Sequence, residues 1–272
     1  MSEKNSYKIS EVAANVEKEV ERLKGQVELF WDNEVKYYEE YGLRDGMKVV
    51  EFGSGPGFLS EKLMQRYPNL SLTMIELDPY LVEYSDNHLK KEFAGRYEVK
   101  EASVLDSKLG REQFDFSISR LLIEHLPEPE KAGLEIKRVL KKGGKAVFID
   151  NDFEMHIMTS PPIKELRVLY DAYCKAREDE GGNPRVGREL PQILRKSGYK
   201  NIQFNAICAH SELLGDEAFF KSEGIGIASK LLKDGYLTSE EMAKIMISWR
   251  NVIRNKEHSI VRQLFMAAGE KE

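Results

Sequence analysis

The 272-residue sequence lacks several features that would place it in other broad classes of protein. It has only two cysteines, Cys174 and Cys208, which are too few for a disulfide framework and lack the spacing of a metal-binding motif. We therefore expect reduced thiols and a cytoplasmic location. The charged N-terminus is followed by no apolar core of signal-peptide type, and no run of about eighteen apolar residues occurs, so we expect no membrane partner.

A basic surface pattern is also missing. The sequence has 46 acidic residues against 41 Lys and Arg, a formal net charge of -5, and no basic stripe interleaved with aromatic residues. Binding to a phosphate backbone needs such a stripe, so we expect no nucleic-acid partner. A small-molecule substrate fits this composition better.

A glycine-rich turn is the most informative segment that is present. A buried strand ends in Val49-Val50-Glu51-Phe52, the turn reads Gly53-Ser54-Gly55-Pro56-Gly57, and Phe58 to Tyr67 has the periodicity of an amphipathic helix. Glycines open the backbone to a ligand, and a helix start offers unpaired N–H groups. The third glycine of a dinucleotide fingerprint would fall at Phe58, so the spacing disfavours a nicotinamide cofactor.

The segment from Glu51 to Gly57 resembles motif I of the class I S-adenosylmethionine (SAM) methyltransferases, and later motifs follow in that family's order. A second predicted strand, Leu70 to Ile75, leads into Glu76, and the resemblance implies that this carboxylate accepts hydrogen bonds from both ribose hydroxyls. A third strand ends in Glu101-Ala102, which is similar to the family's adenine-contacting acidic-small pair. The region after the fourth strand ends in Glu-His-Leu-Pro at residues 124–127, which also matches the family.

The resemblance implies that SAM is the cofactor. The residues that it implies for the cofactor site are Glu51, Gly53, Ser54, Gly55, Gly57, Glu76, Leu77, Glu101, Ala102, Ser119 and Arg120.

The resemblance also implies an α/β fold with a Rossmann-like seven-stranded sheet, N-terminal helices and helical lid insertions. We expect residues 1–44 to form an N-terminal helical lid segment, in which Glu21-Arg22-Leu23-x-x-Gln26 resembles the group related to ubiquinone and sterol methylases. Residues 45–272 would form the SAM-binding domain, with helical insertions at about 153–198 and 211–258. The segment from Ile260 to Ala267 is predicted to be the closing strand, antiparallel at the edge of the sheet.

Catalytic residues are harder to predict. If a general base is used, the candidates in order are Asp152, His156 and His125, although each histidine also fits a packing or capping role. Asp150-Asn151 resembles the magnesium ligands of catechol-type methyltransferases, but Ser119 and Arg120 stand where those enzymes have a further aspartate. We therefore expect no metal.

Three functional hypotheses follow. The leading one is a SAM-dependent methyltransferase that acts on an oxygen or nitrogen atom of a small-molecule acceptor, which no motif identifies. The alternatives are a non-catalytic SAM-binding or scaffold protein of the same fold and a nicotinamide-dependent oxidoreductase. The long insertion at 211–258 carries enough apolar residues that it must cover the pocket, the core or a second subunit, so a homodimer is also considered.

Overall fold

The computed structural model describes Ile9, residues 15–223 and residues 226–272. Apart from Ile9, the predicted lid segment 1–44 therefore lies within the described residues only from residue 15 onward.

The described strands form one sheet of eight. In chain order they are β1 (Lys48–Phe52), β2 (Ser71–Glu76), β3 (Tyr97–Glu101), β4 (Phe114–Arg120), β5 (Leu140–Asp150), β6 (Ile157–Ser160), β7 (Lys200–His210) and β8 (Ser259–Glu270). Their order across the sheet is β3-β2-β1-β4-β5-β8, and β6 and β7 both pair with β8. Strands β1 to β5 are parallel, whereas β8 is antiparallel to its neighbours. This arrangement confirms the predicted Rossmann-like α/β fold.

The structure adds one strand to the predicted seven and corrects the position of another. The added strand is β6, which pairs with the first residues of β8. The prediction that the closing strand lies at the sheet edge is wrong, because β8 lies between β5 and β7. Leu264 to Ala268 are all buried, a continuous run typical of a strand covered on both faces, and the edge strand β7 is largely exposed.

Helices cover both faces of the sheet. The α-helices are α1 (Val16–Glu40), α2 (Phe58–Arg66), α3 (Pro79–Phe93), α4 (Pro129–Val139), α5 (Leu166–Asp179), α6 (Leu190–Lys196), α7 (Ser211–Leu214), α8 (Asp216–Glu223), α9 (Gly226–Lys233) and α10 (Ser239–Arg254). Successive residues of β1 point to opposite faces, so Val49 packs in one core with Phe30 and Leu63, and Val50 packs in the other with Ile136. Among the described residues, no helix is both long and apolar enough to cross a membrane.

The two predicted insertions form most of a helical cover. Residues of α5 form a third apolar cluster with residues 231–245, including Tyr173, Leu231 and Ile245. Thr238 and Glu241 form a capping box at the start of α10. Helix α1 lies against α8, and a β-carbon on Gly25 of α1 would come within 2.8 Å of the Lys221 carbonyl carbon. Only glycine permits so close an approach of the two helices.

Candidate active site

A cavity of about 1260 Å³ lies at the carboxyl ends of the central strands. The glycine-rich turn and the residues that follow β2, β3, β4 and β5 form its floor. Residues of α1, α5, α8 and α9 form its cover. Ligands of open α/β sheets bind at this end of the strands, where neighbouring connections leave to opposite faces.

The glycine-rich turn leaves one part of this cavity open. Gly55 has φ of +55°, and a β-carbon placed on it would meet no protein atom within 4 Å. Gly57 has a different role, because a β-carbon there would lie 3.1 Å from Ser85 and 3.2 Å from Met74. Gly55 therefore gives a ligand access to the backbone, whereas Gly57 lets the turn pack against α3 and does not line the cavity.

Glu76 stands beside this opening at the end of β2. Its carboxylate accepts backbone hydrogen bonds from Gly55 at 2.8 Å, Leu77 at 2.8 Å and Asp78 at 3.0 Å. Burial raises the pKa of Glu76, and these three N–H groups act against that rise. Two carboxylate oxygens offer about four acceptor positions, so about one position remains, on Oε2, for a hydroxyl of a ribose. The donor and acceptor chemistry of the turn therefore fits the nucleoside part of SAM.

Glu51 is a second buried carboxyl in the wall of the cavity. It lies in β1 and accepts a short hydrogen bond from the Ser60 hydroxyl. Burial raises the pKa of Glu51 to about 8, although Ser60 and Arg120 act in the opposite direction. Glu51 is thus mostly neutral at pH 7 until a cation approaches it.

Arg120 connects the sheet to its helical cover. From the end of β4 its Nε donates to both carboxylate oxygens of Glu34 on α1, at 2.9 and 3.1 Å, and its Nη2 donates to the Gln26 carbonyl at 2.9 Å. Glu34 is fully buried and also accepts the Tyr38 hydroxyl at 3.0 Å. Arg120 lines the cavity, but all of these contacts position α1 above it.

The structure brings most, but not all, of the sequence-predicted residues to the cavity. Those that line it are Glu51, Gly53, Ser54, Gly55, Glu76, Leu77, Ala102, Arg120, His125 and His156. Those outside its lining are Gly57, Glu101, Ser119 and Asp152. Glu101 is exposed at the end of β3, and Ser119 is buried within β4. Asp152 is buried against Arg188, whose Nη2 donates to Asp152 Oδ1 at 2.8 Å.

Another wall of the cavity is formed by aromatic rings. Their residues come much later in the sequence than the glycine-rich turn. The Phe153 ring stacks on Tyr173 of α5 at a centroid distance of 4.0 Å and on His156 at 4.3 Å. Tyr170 meets the His156 ring edge-on at 5.4 Å. Phe220 and Leu231 add apolar surface from the cover.

A network of buried charges surrounds this wall. His156 Nε2 lies 3.0 Å from Glu223 Oε2, and Arg262 Nη1 lies 2.9 Å from Glu223 Oε1. Burial acts to raise the pKa of Glu223, but Arg262 and His156 outweigh it and lower the pKa to about 2. On α1, Arg22 donates to both oxygens of Glu19, at 2.9 and 2.6 Å.

A second group of titratable residues follows β4. Burial raises the pKa of Glu124 and, together with the nearby Glu124 charge, that of Asp150. Asp150 accepts backbone N–H groups from Glu124 at 3.1 Å and Asn151 at 2.9 Å. Burial and Arg177 lower the pKa of His125 well below its ordinary value. In the part of the chain that the structure describes, no three His, Cys, Asp or Glu side chains form a metal-binding cluster.

Sequence reasoning missed Glu19, Glu124, Arg177 and Glu223, which also line the cavity. One signal was available for α1, because Glu19, Arg22 and Gln26 recur at helical spacing on the face that carries its buried residues. Charged residues on an apolar helix face indicate a buried polar site.

The fold and the chemistry of this site are similar to those of class I SAM-dependent methyltransferases, and comparisons with known proteins point the same way. Residues 50–148 match the family model described as "Methyltransferase domain". The part of the chain that holds β1 to β5 is therefore similar to a methyltransferase domain, in agreement with the class and the cofactor that the sequence motifs predict.

Two curated relatives and one solved structure show the range of similarity. The chain is 23% identical over 161 residues to malonyl-[acyl-carrier protein] O-methyltransferase of Paenibacillus sp., covering 57% of this chain and 56% of that protein. It is 27% identical over 179 residues to ubiquinone biosynthesis O-methyltransferase of Coxiella burnetii, covering 65% and 73%. The fold is similar to Haemonchus contortus phosphoethanolamine N-methyltransferase 2, solved with phosphomonomethylethanolamine and S-adenosylhomocysteine, with a TM-score of 0.59, 16% identity, and coverage of 91% of this chain and 56% of that one.

Proposed function

We propose that this chain transfers the methyl group of SAM to an oxygen or nitrogen atom of a small organic acceptor. The observation that carries the proposal is the continuity of one cavity from Glu76 and Gly55 to the aromatic wall at Phe153 and His156. Its volume of about 1260 Å³ exceeds the range of about 300–1,000 Å³ that is usual for a single ligand. The site therefore has room for a cofactor and an acceptor together.

The protein's task in this reaction is mainly alignment. SAM supplies the reactive methyl group when it is bound. Glu76 would hold a ribose hydroxyl, the Gly53 to Gly55 backbone would lie along the cofactor, and α1 and α8 would exclude water. Good alignment of two reactants is worth up to about 7–11 kcal/mol, so such an enzyme needs little further chemistry than the removal of one proton.

The names of the relatives indicate a class of acceptor and no particular compound. Two are O-methyltransferases by name, and the chain spans 56% of one and 73% of the other. We propose a small-molecule acceptor and no nucleic-acid partner. We also propose a cytoplasmic enzyme, in agreement with two free cysteines. A homodimer is a further proposal, supported by exposed apolar side chains of α7 and α10 such as Leu213, Met246 and Ile247.

The test combines binding with turnover. Calorimetry should show that the protein binds SAM and S-adenosylhomocysteine and does not bind NAD. Incubation of the protein with trideuteromethyl-SAM and a cell extract, followed by mass spectrometry, should reveal a compound that has gained one labelled methyl group. Binding without any labelled compound would support the scaffold alternative, and binding of NAD alone would support the oxidoreductase.

A further inference from the structure

Helix α8 of the cover contacts the segment around β8 at both of its ends. At the carboxyl end, Glu223 pairs with Arg262 of β8. At the amino end, Asp216 is the first residue of the helix and contacts His258, which immediately precedes β8. Phe220 lies between these two contacts and lines the cavity. The contact at His258 therefore helps to position the part of the cover that a ligand meets.

Both ring nitrogens of His258 contact groups that can only accept a hydrogen bond. Nε2 lies 2.9 Å from each carboxylate oxygen of Asp216, and Nδ1 lies 2.6 Å from the backbone carbonyl oxygen of Asn255, just after α10. Neither a carbonyl oxygen nor a carboxylate has a proton to donate. Each contact therefore needs a proton on the ring nitrogen, and the two contacts together need the doubly protonated, positively charged ring.

Loss of one proton from His258 removes one of the two hydrogen bonds. A neutral imidazole has a single N–H, so its other nitrogen then directs a lone pair at an acceptor. Either the bond to α8 or the bond to the turn after α10 is lost, and the contact with Asp216 is no longer an ion pair. The side chain of His258 is 13% exposed, so the proton can leave and return without any opening of the core.

The surroundings of His258 favour its charged form. The hydrogen bonds to Asp216 and to the Asn255 carbonyl raise the pKa of His258 above its ordinary value of about 6.5. Among the described residues, Asp216 is the one charged group that acts on this pKa. The other charged or titratable side chains on the adjoining segments are His210, Glu212, Glu217, Arg254, Lys256 and Glu257. Because the pKa is higher in the folded protein, the contact stabilises the fold fully below about pH 6.5, and this stabilisation is lost as the pH rises through the raised pKa.

We propose that His258 is a pH-dependent anchor of the cover. The doubly protonated ring holds the amino end of α8 beside β8, and the neutral ring holds it less tightly. The carboxyl end of α8 does not change in the same pH range, because Glu223 has a pKa of about 2 and stays ionised beside Arg262. The helix thus has one anchor that depends on pH and one that does not, and a rise in pH loosens the cover from its amino end.

Amide hydrogen exchange tests this proposal on the protein without any ligand. Protection factors correct for the intrinsic effect of pH on exchange, and in α8 they should fall about 3- to 10-fold between about pH 6 and about pH 9, the change expected for loss of one hydrogen bond. In His258→Gln the α8 amides should show the lower protection at every pH, because glutamine does not titrate. NMR titration of the His258 ring should give a pKa above about 6.5 in the wild type, and this pKa should move toward the ordinary value in Asp216→Asn.

His88→Gln is the matched control. His88 Nε2 lies 3.0 Å from Glu61 Oε2, so this pair also joins a histidine to a carboxylate, but it connects α3 to α2 and neither residue lines the cavity. This variant should keep the wild-type pH dependence of protection in α8. The inference would be overturned by a His258 pKa at or below about 6.5, by wild-type protection in α8 that does not change with pH, or by a pH dependence that persists in His258→Gln. None of these measurements includes an acceptor, so each outcome would leave the proposed methyl transfer standing.

Discussion

Two neighbouring carboxyl groups, Glu76 and Glu51, line the part of the cavity beside the glycine-rich turn, and burial raises the pKa of both. Glu76 is surrounded by three backbone N–H donors at 2.8–3.0 Å, which favour its ionised form. Glu51 has the Ser60 hydroxyl and a pKa raised by burial to about 8. The two residues can therefore be tested separately. Glu76 is tested through the affinity for SAM, and Glu51 is tested through the number of protons released when SAM binds.

Glu76→Ala should weaken SAM binding by about 1.5–3 kcal/mol, the usual worth of hydrogen bonds to a charged group. Isothermal titration calorimetry measures the change directly. Glu101→Ala is the control, because Glu101 also ends a parallel strand but is exposed and outside the cavity lining. Equal losses in the two variants, or no loss in either, would remove Glu76 from the cofactor site.

Binding of SAM at pH 7 should release a proton from Glu51. The carboxyl is mostly protonated in the free protein, because burial raises its pKa to about 8. A cation beside it favours the ionised form and lowers that pKa. Calorimetry in buffers of different ionisation enthalpy counts the protons released. Glu51→Gln, which mimics the neutral form, should bind SAM without this release, and an identical proton count in both proteins would contradict the assignment.

How far a residue could be predicted depended on whether its role is local in sequence. Gly53, Gly55 and Glu76 lie where two consecutive strands end, so strand and turn patterns were enough to propose them for the site. His156, Glu223 and Arg262 come from three distant segments that meet only in the folded chain. No spacing rule links them, and the sequence therefore indicated His156 only as a candidate and Glu223 not at all.

At the scale of elements, the long insertion is divided between two tasks. Its first half, through α8 and residues 229–231, lines the cavity, which is one of the three surfaces that the sequence left open for it. Its second half, α10, packs against α5 in the third apolar cluster and contributes no cavity-lining residue. The apolar content alone predicted that the insertion covers another surface. It could not predict which surface each half of the insertion covers.

Gly25→Ala tests the contact between α1 and α8. Alanine is a better helix former than glycine by about 1 kcal/mol, so helix propensity alone would make the variant more stable. The new methyl group would instead lie 2.8 Å from the Lys221 carbonyl carbon and push the helices apart. We expect the free energy of unfolding to fall by about 1–3 kcal/mol, the usual cost of overpacking. Urea denaturation measures it, and a gain in stability would show that α8 does not lie this close.

Lys36→Ala is a suitable control for that experiment. Lys36 is an exposed residue of the same helix, so this substitution changes helix propensity without a new contact. Its free energy of unfolding should stay within about 0.5 kcal/mol of the wild-type value.

For the whole molecule, the contacts made where β4 and β5 end argue for a reaction without a metal. Asp150 already accepts two backbone N–H groups, and Arg120 at the end of β4 is bound to Glu34. Transfer of the labelled methyl group should therefore continue at the same rate in EDTA. Loss of transfer that magnesium restores would instead make Asp150 and Asn151 metal ligands.

The ion pair between Arg262 of β8 and Glu223 of α8 holds α8 over the cavity. Arg262 is fully buried in β8 and stacks over Phe30 of α1, whereas Glu223 belongs to α8. Each opening would leave a guanidinium in the protein interior without its counter-charge, which is far more costly than parting an exposed ion pair. Salt screens buried pairs much less than surface pairs. Any displacement of α8 from Arg262 would therefore be opposed from inside the sheet, and this opposition would be nearly independent of ionic strength.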